Sequence, residues 1–378
     1  MINKKVSLYI HIPFCERKCN YCDFLSFQGT MERKEAYLSC LLRELQSWQQ
    51  ELKDYQVESI FIGGGTPSVL EDSQITRLME QMKDLCVLSP KCEITIECNP
   101  NSATLDKLRA YKQCGINRIS FGVQSFEDKE LKLLGRLHNK EQGIQAIEAA
   151  KEVGFTNINV DIMMALPEQN LKSYENTLNQ VINLKVPHIS AYSLILEPGT
   201  PFYEKEEIKK LLPTQEEERA LYYFTRDRLQ EAGYHQYEIS NFAKEGFECE
   251  HNKVYWQIGE YLGIGLGASS YFKNKRFSQE TDMTAYITKK EFKKAFLEAS
   301  EVTKQATMEE FMFLGLRMNE GVSKEVFFHK FQVELEQVYK DALQKGQREE
   351  TIEVLGDKVR LTPLGQDVSN YVLSDFLL

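Results

Sequence analysis

"VSLYIHIPFCERKCNYCDF", Val6 to Phe24, carries two signals in one stretch. Leu8, Ile10 and Ile12 alternate with Tyr9 and His11, the period of a strand with one apolar and one polar side. Pro13 follows, and then Cys15, Cys19 and Cys22 with the spacing C-x3-C-x2-C. The next residues are Asp23 and Phe24, so no fourth cysteine completes the set. Glu16, Arg17, Lys18 and Asn20 make this loop polar, which argues against three buried structural thiols. Three thiolates so close together suit one metal centre. A [4Fe–4S] cube is normally held by four cysteines, so three would leave one iron open to a small molecule. The rival is structural zinc in a Cys3His set, with His11 as fourth ligand. Against it, Pro13 and the strand geometry separate His11 from Cys15.

Outward from this stretch the same rhythm returns. "ESIFIGGG", "CEITIECN", "RISFGVQ", "NINVDIMMAL" and "HISAYSLI" read as five further strands. Segments of helical period lie between them; over 32–53, Leu38, Leu41, Leu42, Leu45, Trp48 and Leu52 recur at three- and four-residue steps. Six βα units up to about residue 233 predict a parallel sheet with helices outside. The strands are apolar on one side and carry isolated polar groups on the other: Thr95 and Glu97, Ser120 and Gln124, Asn159 and Asp161. That pattern predicts a partial parallel (β/α)6 TIM-like barrel whose lumen collects the polar groups near the C-terminal strand ends, where such barrels place their chemistry. A doubly wound sheet with satisfied buried polar groups is the alternative.

The chain has 378 residues and a net charge of 46 − 56 = −10, the wrong sign for a general phosphate-backbone binder. No apolar run approaches the ~20 residues needed to span a bilayer, and "MINKKVSLYI" has no signal-peptide cleavage region. The expectation is a cytoplasmic protein with reduced thiols. Cys40, Cys86, Cys92, Cys98 and Cys114 are scattered and read as small buried apolar residues. We divide the chain into a barrel over 1–240, a linker over 241–284 and a mainly helical, winged-helix-like domain over 285–378. The linker sequence "NFAKEGFECEHNKVYWQIGEYLGIGLGASSYF" has no clear period and reads as a long functional loop packed on the barrel. Its "GIGLG" does not open a helix in a βαβ unit, so it reads as loop and not as a dinucleotide fingerprint. In the tail, "EETIEVLGDKVRLTPLGQDVSNYVL" reads as two strands around "LGD" and a Thr-capped helix with Pro363 in its first turn. Residues 300–378 hold 9 Lys/Arg against 14 Asp/Glu, a balance of −5 that excludes a duplex-DNA role for this tail.

C-x3-C-x2-C directly after the first strand resembles the radical S-adenosylmethionine (SAM) superfamily. "YIHIPFC", "FIGGGTPS", "ITIECNP", "ISFGVQSF" and "DIMMALP" together resemble one branch of it, the oxygen-independent coproporphyrinogen III oxidases and their relatives, the HemW-type heme chaperones. The resemblance implies a [4Fe–4S] cluster on Cys15, Cys19 and Cys22, with SAM on the remaining iron. It implies that Gly64, Gly65 and Thr66 approach the SAM amino group and that Glu97 holds the ribose. It implies further SAM contacts from Tyr9, Tyr21, Gln124, Arg136 and Asp161, with Arg136 suited to a carboxylate.

Two departures separate the oxidases from the chaperones. The oxidases carry a further cysteine two residues after the third cluster cysteine, where this chain has Phe24, and they have an N-terminal extension for which the strand near residue 6 leaves little room. In the other direction, His251, Asn252, Tyr255 and Trp256 match the HNxxYW signature of the heme-binding relatives: an imidazole for iron and aromatic faces for a porphyrin. Cys249 is a candidate second ligand by proximity alone. The resemblance therefore implies a heme chaperone that passes heme to an acceptor protein, membrane-associated acceptors included, with an electron donor for the cluster and either a monomeric or a cluster-dependent dimeric state. Radical porphyrinogen oxidation is the alternative.

Overall fold

The computed structural model describes residues 4–378, so residues 1–3, the start of the expected first domain, lie outside the described residues. Six strands, β1 (Lys4–Ile12), β2 (Tyr55–Gly64), β3 (Val87–Cys98), β4 (Arg118–Gln124), β5 (Asn157–Met164) and β6 (His188–Ser193), pair in chain order and all in parallel. A doubly wound sheet would reverse its strand order at a switch point; this one does not, which leaves the TIM-like winding. Each strand is followed by a helix: α1 (Met31–Ser47), α2 (Asp72–Leu85), α3 (Leu105–Gln113), α4 (Lys140–Glu152), α5 (Leu171–Asn183) and α6 (Gln215–Glu231). Side chains of Thr30, Thr104, Asn139, Asn170 and Thr214 cap five of these helices by accepting from otherwise unpaired first-turn amides. The helix expected over 32–53 breaks at Trp48, whose buried ring packs against Phe272, Phe277 and Phe296.

The strand alternation sorts as the pattern requires. Val6, Leu8, Ile10 and Ile12 are buried in one core with Leu38, Leu41 and Leu45 of α1. The opposite side of the sheet holds the polar groups, and they satisfy one another across strands. Ser59 donates to Ser7 (2.7 Å) and Asn159 to Ser120 (2.8 Å), while His188 Nδ1 pairs with Asn159 Oδ1 (2.6 Å). Buried polar groups paired in this way avoid the desolvation loss that unpaired ones carry.

The segment 241–284 is not a long loop. It contains β8 (Asn241–Ala243), which with β7 (His235–Glu238) extends the sheet antiparallel beyond β6. After the helix α7 (Glu250–Trp256), β9 (Tyr261–Ile264) runs parallel to β1, and β10 (Ser269–Phe272) and β11 (Lys275–Ser278) complete that side. These pieces pair both edges of the six-stranded sheet, which would otherwise present open ladders. They are three to seven residues long, too short for a hydrophobic period to register. "GIGLG" accordingly begins in a strand, and a Cβ on Gly263 would stand 2.2 Å from the Ser269 carbonyl oxygen, so a glycine is required there.

In the C-terminal region α8 (Lys304–Gly315) leads into an antiparallel sheet of β12 (Val322–Ser323), β13 (Ile352–Leu355) and β14 (Lys358–Leu361), ordered β12-β14-β13. Thr362 caps the helix Pro363–Asp367, with Pro363 in its first turn. Phe311, Phe327, Phe331, Tyr339 and Phe376 form a separate core here, and Ile258 and Tyr271 of the preceding segment belong to it. Among the described residues no helix is long and apolar enough to cross a membrane.

Candidate functional site: a cavity at one end of the barrel and a buried histidine at the other

The cysteine loop is fixed by its polar residues. Arg17 donates to the carbonyls of Gly135 (2.7 Å) and Arg136 (3.1 Å), Asn20 Nδ2 to that of Leu133 (2.8 Å), and Asn101 to the Glu16 carboxylate (2.7 Å). From the other side, the Gly65 amide donates to Ile12 (2.9 Å) and that of Thr66 to Phe14 (2.7 Å). The glycines of "GGGTP" are required by this contact. A Cβ on Gly65 would meet the Phe14 backbone at 2.7 Å, and one on Gly64, whose φ is +115°, would meet the His11 ring at 2.6 Å.

Cys15, Cys19 and Cys22 line one wall of a cavity of about 320 Å³ at the C-terminal strand ends, together with Tyr21, Gly64, Gly65, Thr66, Glu97, Gln124, Arg136 and Asp161. These three thiols are half-buried, whereas the other six cysteines are buried. Cys15 Sγ lies 3.4 Å from Thr66 Oγ1, and Arg136 Nη1 donates to Cys19 Sγ at 3.4 Å. Burial raises the Cys15 thiol and pushes Cys22 up to about 11, so metal coordination would have to remove those protons. Two half-buried carboxylates, Glu97 and Asp161, line the same cavity as the sulfurs. Glu97 accepts from the Gly64 amide (3.0 Å), and Asp161 from Asn159 (2.7 Å). Burial, and after it the charge of Asp161, pushes Glu97 up to about 8; burial also raises Asp161. Gln124 reaches the wall through a register shift in β4 and a left-handed backbone (φ 75°), and Tyr192 donates to its Oε1 at 2.9 Å.

This donor set fits a three-cysteine cluster with a small cationic ligand beside it. Two carboxylates held above their ordinary range in one cavity favour a ligand that brings positive charge. Arg136 Nε and Asn99 Oδ1, both on cavity-lining residues, are buried without a partner. The zinc alternative loses its fourth ligand, because His11 Nδ1 is bonded to Tyr9 (3.0 Å) and Nε2 to the Leu25 carbonyl (3.1 Å). Tyr9 is not among the residues that line the cavity; its hydroxyl meets His11 Nδ1 and its ring stacks on Phe61. Tyr192 lines the cavity and escaped the sequence reading, although it continues the period-two lumenal series His188, Ser190, Tyr192 on β6.

The HNxxYW residues sit at the opposite, N-terminal end of the barrel. His251, 1 % exposed, is clamped by Ser59 Oγ on Nδ1 and Tyr255 OH on Nε2, both at 2.8 Å. Its surroundings keep it neutral: burial, then Arg118, lowers it to about 3. Glu93 of β3 caps α7 from outside the helix, accepting from the Cys249 thiol (3.5 Å) and the amides of Glu250 (3.3 Å) and His251 (3.2 Å). Cys249 is therefore spent on Glu93 and fully buried, which removes it as a ready second iron ligand. Trp256 is half-buried beneath the Arg317 guanidinium (4.8 Å), and Asn252 is half-buried on α7. Rings step upward from Tyr255 to His251 (5.2 Å), Phe61 (5.2 Å), Tyr9 (6.4 Å) and His11 (5.9 Å), a column that joins the two ends.

The radical SAM superfamily profile matches residues 9–181, and the HemN C-terminal domain profile matches residues 302–368. The chain is 38 % identical over 378 residues to the heme chaperone HemW of Bacillus subtilis, covering 98 % of this chain and 99 % of that one. The Lactococcus lactis HemW is 36 % identical over 100 % and 99 %, and that of Escherichia coli 40 % identical over 70 % and 69 %. Among solved structures, Escherichia coli coproporphyrinogen III oxidase superposes with a TM-score of 0.85 at 22 % identity, covering 100 % of this chain and 91 % of that one, which establishes the shared fold. The chain belongs to the HemW family within the radical SAM superfamily.

Proposed function

We propose that this protein binds heme and passes it to an acceptor protein, carrying a [4Fe–4S] cluster on Cys15, Cys19 and Cys22 and SAM in the adjoining cavity. The observation that carries the reading is the cavity itself: three half-buried thiols and two half-buried carboxylates line one cavity, with an arginine bonded to Cys19 among them. When bound, the cluster supplies an electron that can cleave the SAM sulfonium.

The remaining chemistry belongs to this chain's side chains. Glu97 and Asp161 offer charge and hydrogen-bond acceptors to a cationic, hydroxyl-bearing ligand. Arg136, beside Cys19, presents a guanidinium to a carboxylate. Gln124, held by Tyr192, fixes the far wall. Heme is cargo, and a neutral His251 is in the protonation state that ligates iron. The reading includes an electron donor for the cluster, a cytoplasmic place of action and an acceptor protein, membrane-associated acceptors included, with monomer and cluster-dependent dimer as its two assembly states. Porphyrinogen oxidation is the less favoured reading, because Phe24 stands where the oxidases carry a cysteine.

The test is anaerobic reconstitution followed by iron and sulfide analysis and by titration with SAM and hemin. The expected result is four irons bound in wild type and lost in Cys19→Ala, and a histidine-ligated hemin spectrum in wild type that is lost in His251→Ala. A colourless protein that holds one zinc, or an active coproporphyrinogen oxidase without hemin affinity, overturns the proposal.

A further inference from the structure

A second opening lies on the underside of the protein, between the segment after α7 and the helix α8. It is a cleft of about 280 Å³ whose lining includes Tyr255, Tyr261, Tyr271 and Phe313, with Arg276 and Glu310 on its wall. Three features set it apart from an ordinary crevice. Its wall is dominated by aromatic faces, with Tyr255 and Tyr261 packed edge to face at 4.7 Å. Cations stand at its border: Arg276, paired with Glu310 at 2.5 Å, and Lys330, which donates to the carbonyl of the cleft residue Ile258 at 3.4 Å. Directly behind Tyr255 is the His251 ring, whose Nε2 the Tyr255 hydroxyl occupies.

We propose that this cleft is the seat of the heme and that Tyr255 is its gate. The macrocycle would lie against the tyrosine and phenylalanine faces, its carboxylates toward Arg276 and Lys330, and its iron would take His251 Nε2 once the Tyr255 hydroxyl swings away. The inference rests on the proposed function and adds a place to it. His251 as it stands is sealed on both ring nitrogens, so ligation requires one of the two partners to leave. Ser59 is a barrel-strand residue bonded in turn to Ser7, whereas Tyr255 lines the cleft and moves with a single side chain. At about 280 Å³ the cleft lies at the low end of small-molecule pockets and covers only part of a tetrapyrrole. Partial cover suits a cargo that must be handed on. The cavity beside the cysteines lies at the other end of the barrel, which keeps cargo and SAM apart.

The experiment is absorbance titration of the full-length protein with hemin and, separately, with metal-free protoporphyrin IX, which has no iron to ligate. Wild type, His251→Ala, Tyr255→Phe, Phe313→Ala and Arg276→Ala are compared, with thermal melts to show that each variant is folded. Phe313→Ala is expected to weaken both porphyrins about tenfold, the equivalent of one lost ring contact. His251→Ala is expected to lose the histidine-ligated hemin spectrum yet bind metal-free protoporphyrin as wild type does. Tyr255→Phe is expected to develop the histidine-ligated spectrum faster, because nothing holds Nε2. Should His251→Ala lose hemin while Phe313→Ala and Arg276→Ala bind both porphyrins unchanged, iron ligation by His251 stands and the cleft is overturned. Should wild type bind no hemin, the heme reading itself falls and the cleft with it.

Discussion

The backbone of Phe14 lies against Gly65 so closely that the Thr66 amide donates to the Phe14 carbonyl at 2.7 Å and no side chain fits at position 65. The cysteine loop and the second strand end are thus one rigid unit. Gly65→Ala puts a methyl 2.7 Å from a backbone oxygen, which cannot rotate away. The expected outcome is a loss of about 1–3 kcal/mol, the usual cost of overpacking, together with loss of bound iron after reconstitution. Gly143→Ala is the control: at the fourth position of α4 its new methyl meets only side chains at ordinary contact distance, Val123 at 3.4 Å, Phe126 at 3.7 Å and His138 at 3.9 Å, and should stabilise by about 0.5–1 kcal/mol. Thermal melts and iron analysis of both variants check this.

Glu44 sets a pH dependence. Fully buried on α1, it accepts from the Gly265 amide (3.0 Å) and from Tyr286, tying the first helix to the segment after β9. Burial pushes it up to about 7 from an ordinary 4.5. The folded state therefore binds more protons than the unfolded one between those values, and stability falls as pH rises. The contribution is whole below 4.5 and lost as pH climbs through about 7. Glu44→Gln does not titrate, so its stability relative to wild type should improve from about pH 5 to about pH 8, by an amount on the order of 2 kcal/mol, read from melts across that range. A difference that stays flat with pH would refute the assignment.

Glu93 holds the helix that carries His251. Its carboxylate accepts from two amides and a thiol at the start of α7 and faces the charge of the buried Arg118. Glu93→Ala strands those donors and an arginine in a closed interior. The expected loss is about 3 kcal/mol or more, read from chemical denaturation. Glu93→Gln, which keeps one acceptor and gives up the charge, should fall between.

Arg136 bridges the cysteine loop and the strand ends, donating to Cys19 Sγ and to the Gly122 carbonyl. In protein reconstituted with iron and sulfide, Arg136→Met should keep its metal and bind SAM about 10–100-fold more weakly, the value of one charge-assisted hydrogen bond. Calorimetric titration reads this. Unchanged SAM affinity would remove Arg136 from the site.

Much of this architecture is legible before folding, for a physical reason. Leu8, Ile10 and Ile12 against Tyr9 and His11 state which side of a strand meets helices and which meets the lumen, and the same alternation places Glu97, Gln124 and Asp161 in one cavity. Alternation tells side but not depth: Tyr9, which the resemblance assigns to SAM, shares a face with His11, yet it is absent from the cavity lining and packs on Phe61. The 241–284 segment was illegible because strands of three or four residues carry no period, and their pairing is dictated by sheet edges contributed from elsewhere in the chain. The burial of His251 was equally hidden. Its partners Ser59 and Glu93 lie 192 and 158 positions away, and only the closed barrel brings them to it.

The ring column from Tyr255 to His11 has one more implication. At centroid intervals of 5.2 to 6.4 Å, edge-on at Tyr255–His251 and face-on at Tyr9–Phe61, these five rings form an unbroken file of contacts between the imidazole end and the sulfur end. A displacement of the Tyr255 ring therefore has a chain of touching neighbours along which to reach His11.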